Sequence, residues 1–127
     1  MRKTVTILLM LGRLLGVVQI LGGLAIWFGL PPWAVQAHMG IGSLFVLVLW
    51  IVGVIALFAL SARGFALFAL LWGALVLWLG MAQTALLAGS AHWVIKVLHF
   101  VIGLAALGLL ERLGKALRLH WSGARDL

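Results

Sequence analysis

Two short segments of this chain repeat one pattern: His38-Met39-Gly40-Ile41-Gly42 and His99-Phe100-Val101-Ile102-Gly103 both read His-x-x-Ile-Gly. Both lie inside long apolar runs. An ionisable side chain at membrane depth is costly and marks a functional position by default. Two imidazoles brought together offer two nitrogen donors, and a haem iron accepts one such donor on each face. The chemistry expected of His38 and His99 is therefore axial ligation of one haem b. Two other readings stay open. The histidines can form a polar clamp with each other or with nearby glutamines, or they can serve a proton, ion or quinone site without haem. A zinc or copper site is disfavoured, because no carboxylate lies at that depth to complete a metal shell.

Several residues are placed to support the pair. Gly42 and Gly103 each follow a histidine by one helical turn, which would leave room for a flat ring. Gln19 and Gln83 are expected at the same depth, where they could bond the free imidazole N–H or the haem edge. Such supporting bonds fix ligand orientation and tune a metal centre. Lys96 lies between His92 and His99, where its ammonium could meet a haem propionate or snorkel to the interface. His92 sits beside a turn and is expected at the surface. His120 lies past the last apolar run and reads as an interfacial residue. No nucleophile–base–orienter set and no phosphate loop is visible, so any chemistry would belong to the cofactor. An enzymatic role would be that of a haem-dependent oxidoreductase.

The elements that must hold these residues follow from composition. Of 127 residues, 66% are hydrophobic and 9% charged, and the mean hydropathy is +1.30. No water-soluble domain of this size could bury that much apolar surface, so the chain is expected in a lipid bilayer. A spanning helix needs roughly 20 apolar residues. Four such runs can be drawn, at about 4–29, 33–60, 65–88 and 91–117. The fold class is an all-α integral membrane protein, a single domain over 1–127 forming an up-down four-helix transmembrane bundle. The net charge of +7 gathers at segment ends rather than in a basic run, which excludes a nucleic-acid partner. Cysteine is absent, which excludes disulfides, thiolate metal sites and cysteine nucleophiles. Met1-Arg2-Lys3 followed by apolar residues resembles a signal peptide, and Ala34-Val35-Gln36-Ala37 a cleavage site. The apolar run is too long for that and is interrupted by Arg13, so a retained first helix is expected.

Along the chain, Thr4 or Thr6 is expected to cap the first helix, Pro32 to sit in the first turn of the second, and Ser90 to cap the fourth. Gly12, Gly16, Gln19 and Gly23 share one face of the first helix, where small residues let a neighbour approach. Gly12 and Gly16 also form a GxxxG pair that could mark a dimer face. His38, Gly42, Phe45, Leu49 and Gly53 form a stripe on the second helix. Arg2, Lys3, Arg63, Arg112, Lys115, Arg118 and Arg125 fall at the two termini and the Ser61-Ala62-Arg63-Gly64 turn, which share one end of an even-numbered bundle. By the positive-inside rule both termini are cytoplasmic, in the cell inner (plasma) membrane. The turns near Leu30 and Gly89 then face outward, flanked by Trp27, Trp33 and Trp93. Gly16-x-x-Gln19 and Gly80-x-x-Gln83 each precede a His-x-x-Ile-Gly, which points to a duplicated helical hairpin, with chance agreement as the alternative. If the second and fourth helices are diagonal partners, both histidines point at the bundle axis.

Four spanning helices with inward-facing histidine pairs resemble the four-helix membrane b-type cytochromes, the cytochrome b561-like group. The two His-x-x-Ile-Gly segments carry the likeness in sequence. The resemblance implies haem b and electron transfer. Members commonly hold two haems, one near each surface, whereas this sequence offers one histidine pair, in the outer half. One haem there would exchange electrons with quinol, an external carrier, superoxide or a haem in a second protomer, or would mark a haem-handling or sensing protein. The partners expected are the lipid bilayer, a quinone or other electron carrier, and a second copy of the chain. The competing function is a non-redox scaffold or accessory subunit held to a larger complex by its glycine-rich faces. Arg13 and Glu111 lie in the inner half and are expected to pair across the bundle, unless Glu111 bonds Lys115 one turn on.

Overall fold

In the computed structural model, which describes residues 1–61 and 63–123, the chain forms four α-helices: α1 (Arg2–Trp27), α2 (Pro32–Ala59), α3 (Arg63–Ala82) and α4 (His92–Gly123). The described residues contain no strand. All four helices are long and apolar enough to cross a membrane. Ala62 and Arg125, invoked above, lie outside the described residues.

The sequence explains most boundaries and misses two caps and two ends. Pro32 opens α2 as expected, entered through an extended Pro31, and Gly29 takes φ +102 to reverse the chain in the preceding turn. Helix α1 starts at Arg2 with no side-chain cap; the Thr6 hydroxyl instead donates to the Arg2 carbonyl, so neither threonine caps it. Helix α3 stops at Ala82 rather than 88. Its last turn closes through Ala85 and Leu86 N–H bonds to the Ala82 carbonyl, and the chain then turns through Leu87 at φ +45 and Gly89 at φ +97. The apolar run continues to Ala88, so hydropathy alone could not reveal that ending. Ser90 lies two residues before α4 and is not its N-cap. At its other end α4 runs on to Gly123 instead of 117, because leaving the apolar zone does not oblige a helix to end.

Helix α1 packs on α2 and α4, and α3 packs on α2 and α4. Across the bundle α2 touches α4, whereas α1 and α3 do not meet among the described residues. The two histidine-bearing helices are thus the close diagonal pair. The start of α1, the end of α2, the start of α3 and the end of α4 make a basic end; the 28–31 and 83–91 connections make the distal end. The dense core lies in the basic half around Leu9, Val46, Leu49, Val52, Leu110 and Leu113, all fully buried. Apolar side chains also cover the outside: Ile7, Leu14, Leu21, Phe58 and Leu71 are exposed, as a lipid-facing surface requires.

Glycines set the helix spacing in the basic half. Gly12 faces Leu110, Gly16 faces Leu107 and Gly114 faces Leu9, so α1 and α4 approach closely there. The Gly12–Gly16 pair therefore serves contact within the chain rather than presenting a face to a second copy. Trp50 donates to the Leu70 carbonyl (2.9 Å) and Trp72 to the Ile102 carbonyl (3.0 Å), fastening α3 to both diagonal helices.

Arg13 and Glu111 pair as a fork across the α1–α4 seam, Nε on Oε1 and Nη2 on Oε2, the latter at 2.8 Å. Lys115 is not the partner of Glu111. Such a pair is worth little net, yet removing one member strands a charge. Glu111→Leu and Arg13→Leu are each expected to lower the melting temperature, whereas the double Leu variant is expected to recover most of the loss. Thermal unfolding of the purified variants as a double-mutant cycle checks this.

Candidate haem-binding site

His38 and His99 each sit about two turns into their helices, ~9 and ~10 Å from the first residue at 1.5 Å per residue. Because α2 and α4 run the same way on the diagonal, the two imidazoles meet near the axis. Their ring centroids are 6.5 Å apart with planes inclined by 65°. Each ring is backed by a glycine of the neighbouring helix. A Cβ on Gly23 would lie 3.2 Å from His38 Cε1, and one on Gly80 would lie 3.3 Å from His99 Cε1. Gly22 stands beside His38 Nδ1.

This packing shifts the register of the repeat. The glycines that play equivalent parts are Gly23 and Gly80, not Gly16 and Gly80. Gln19 therefore lies one turn toward the basic end from its histidine-backing glycine. Gln83 lies on the opposite, distal side of Gly80, beyond the end of α3. The two glutamines are not at one depth, contrary to the expectation from spacing, because Gln19 precedes the glycine that backs His38 whereas Gln83 follows the one that backs His99.

Neither glutamine bonds an imidazole. A Cβ on Gly42 would come within 2.5 Å of Gln19 Nε2, so the amide of Gln19 fills the space that Gly42 was expected to leave for a ligand. Gly103 does face open space. Gln19 Oε1, His38 Nδ1 and His99 Nδ1 are buried without hydrogen-bond partners. A buried polar atom left unpaired costs about 1–3 kcal/mol, so three around one cavity call for an explanation.

The cavity measures about 430 Å³ and takes walls from all four helices. Cofactor sites span roughly 300–1,000 Å³ and are mostly apolar with a few polar groups. The body here is apolar, and Gln83, Thr84, His92 and Lys96 line it toward the distal end. His92 was expected at the surface. It is instead half-buried, its Nδ1 donating to the Leu86 carbonyl at 3.2 Å, which ties the first residue of α4 to the connection before it. Lys96 is exposed at the same rim. Sequence reasoning passed over Gly22, Ser43 and Thr84. The Gly22-Gly23 doublet inside an apolar helix was the available signal for the first. Ser43 spends its hydroxyl on the Met39 carbonyl and is no free donor.

The residues fit a haem. Among the described residues no group of three or more His, Cys, Asp or Glu side chains could hold a bare ion. A two-nitrogen donor set is complete only if the metal brings its other ligands, as a porphyrin iron does. The imidazole centroids, 6.5 Å apart, leave space between the rings for a metal that brings those ligands. Compared with protein-family models, curated proteins and solved structures, the chain matches none.

Proposed function

We propose that this chain is a single-haem membrane protein that binds haem b between His38 and His99 and works in electron transfer or related redox chemistry. The observation that supports this best is the imidazole pair: two rings 6.5 Å apart across a largely apolar cavity, each with an unpartnered Nδ1. Haem bound there would supply one-electron chemistry. The chain's own residues do the rest. Gly23 and Gly80 let α1 and α3 close on the imidazoles and hold their orientation. Gly103 leaves the volume a flat ring needs. Lys96 and His92 stand where carboxylates of an amphipathic ligand would emerge.

The resemblance to four-helix membrane b-type cytochromes agrees with this reading. The basic residues gathered at one end support cytoplasmic termini by the positive-inside rule, and on that reading the haem would lie in the outer leaflet. A lipid-dissolved quinone or an external carrier is the class of electron partner such a position suits. Titration of hemin into detergent-purified apoprotein tests the assignment. One haem per chain with a saturable Soret shift is expected. Absence of saturable binding would leave the scaffold reading in its place.

A further inference from the structure

Arg13 and Glu111 sit on the outer side of the α1–α4 seam, with 49% and 36% of their side chains accessible. Their depth follows from their neighbours in sequence. Gly12 faces both Leu110 and Val48, and Val48 stands eleven residues before Ala59, the end of α2. That is ~17 Å at 1.5 Å per residue. In a hydrocarbon core roughly 30 Å thick it is close to the midplane. Ionisable side chains at such depth normally face the bundle interior or a water-filled cavity. These two do neither, and they do not line the axial cavity. Long basic side chains can escape by reaching for the interface. Arg112 does so: its guanidinium lies over the Phe65 ring (5.2 Å), two residues into α3 at the basic end. Arg13 does not, because Glu111 holds both its Nε and its Nη2. The Nη1 donors of Arg13 have no partner among the described residues. Around the pair the surface is apolar. Met10 and Val17 on α1 and Leu104 on α4 are exposed on the same side. Gly108, one turn before Glu111, is exposed too, and a Cβ there would meet nothing, so another helix can come close.

From these observations we infer that the outer α1–α4 seam is the contact face of a homodimer, two copies related by a two-fold axis along the membrane normal. Such an axis keeps every residue at its own depth. An isologous contact sets the patch against the same patch of the other copy. Arg13 and Glu111 lie side by side at one level, so the second copy brings a carboxylate to each guanidinium and a guanidinium to each carboxylate. Four charges then alternate around the axis, covered from lipid by the flanking apolar side chains. The pair is its own complement, which is why a second copy is the occupant. A partner of another sequence would have to carry matching charges to the same depth. Nothing in this contact requires haem.

The chain has no cysteine, so a single introduced thiol reports its own surroundings. In phosphatidylcholine vesicles treated with copper phenanthroline, Gly108→Cys is expected to form a disulfide-linked dimer. Its yield is expected to be at least tenfold that of Leu71→Cys, whose thiol lies on the exposed side of α3. Adding Arg13→Leu and Glu111→Leu together is expected to cut the Gly108→Cys yield at least tenfold, with helix content unchanged. Exchanging the charges, Arg13→Glu with Glu111→Arg, preserves self-complementarity and is expected to keep the dimer. This variant carries the test should the double Leu protein fail to fold. Four outcomes overturn the inference: no Gly108→Cys dimer, equal cross-linking at Gly108 and Leu71, a dimer indifferent to loss of both charges, or cross-linking in native membranes to a different protein instead of a second copy.

Discussion

Replacing His38 or His99 with alanine will abolish the sharp, split visible bands of six-coordinate haem b. His120→Ala, at the basic end and outside the cavity, will leave them unchanged. Removing a group that merely supports a metal ligand costs roughly 10–100-fold in affinity, so removing a ligand itself is expected to exceed that. Each substitution is expected to lower hemin affinity by more than about 100-fold. Hemin titrations followed in the Soret region, on variants matched for helix content, measure both. Equal and complete retention of the wild-type spectrum in either variant would remove that histidine from the site.

Gly103 and Gly114 give the second large contrast. Eleven residues apart, they fall within ~20° on the same face of α4 at 100° per residue. Their surroundings are opposite. Gly103 opens on the cavity, whereas Gly114 is packed against Leu9 in the core of the basic half. Gly103→Phe is therefore expected to leave the bundle folded and to fill the space a cofactor would use, eliminating hemin binding. Gly114→Phe is expected to force α1 and α4 apart. Overpacking of this kind typically costs 1–3 kcal/mol, and a whole phenyl ring in place of a hydrogen will lie at or above the top of that range. Circular dichroism melts and hemin titration on the same two samples separate the effects: folded but empty for Gly103→Phe, unstable for Gly114→Phe. A Gly103→Phe protein that still takes up hemin normally would place the binding volume elsewhere.

The sequence carried the helices well and the details of the site less evenly. Four apolar runs of sufficient length became four helices, and the histidine stripe of α2 came out facing inward with Phe45, Leu49 and Gly53 buried along it. The common direction of α2 and α4 followed from the even-numbered topology, their diagonal contact was a condition that the fold meets, and the Arg13–Glu111 pair followed from the scarcity of other partners at that depth. The end of α3 was not legible. Its residues stay apolar through Ala88, and the reversal depends on backbone angles at Leu87 and Gly89 that hydropathy does not encode. The error on Gln83 came from register: spacing set it level with His99, whereas Gly80 holds that level. The fate of Gln19 was hidden for a different reason. Spacing places it near a histidine but does not say whether its amide reaches the imidazole or lies on Gly42. The backing of each imidazole by Gly23 and Gly80 is a contact between helices, set by how the bundle closes, and no single-helix pattern contains it.

The most direct measurement is the absorption spectrum of detergent-purified protein, loaded with hemin and read oxidised and then dithionite-reduced. The account predicts a Soret band that sharpens and moves to longer wavelength on reduction, with split visible bands, at one haem per chain. A protein that remains colourless after hemin is added would contradict it and leave His38 and His99 as a structural polar pair.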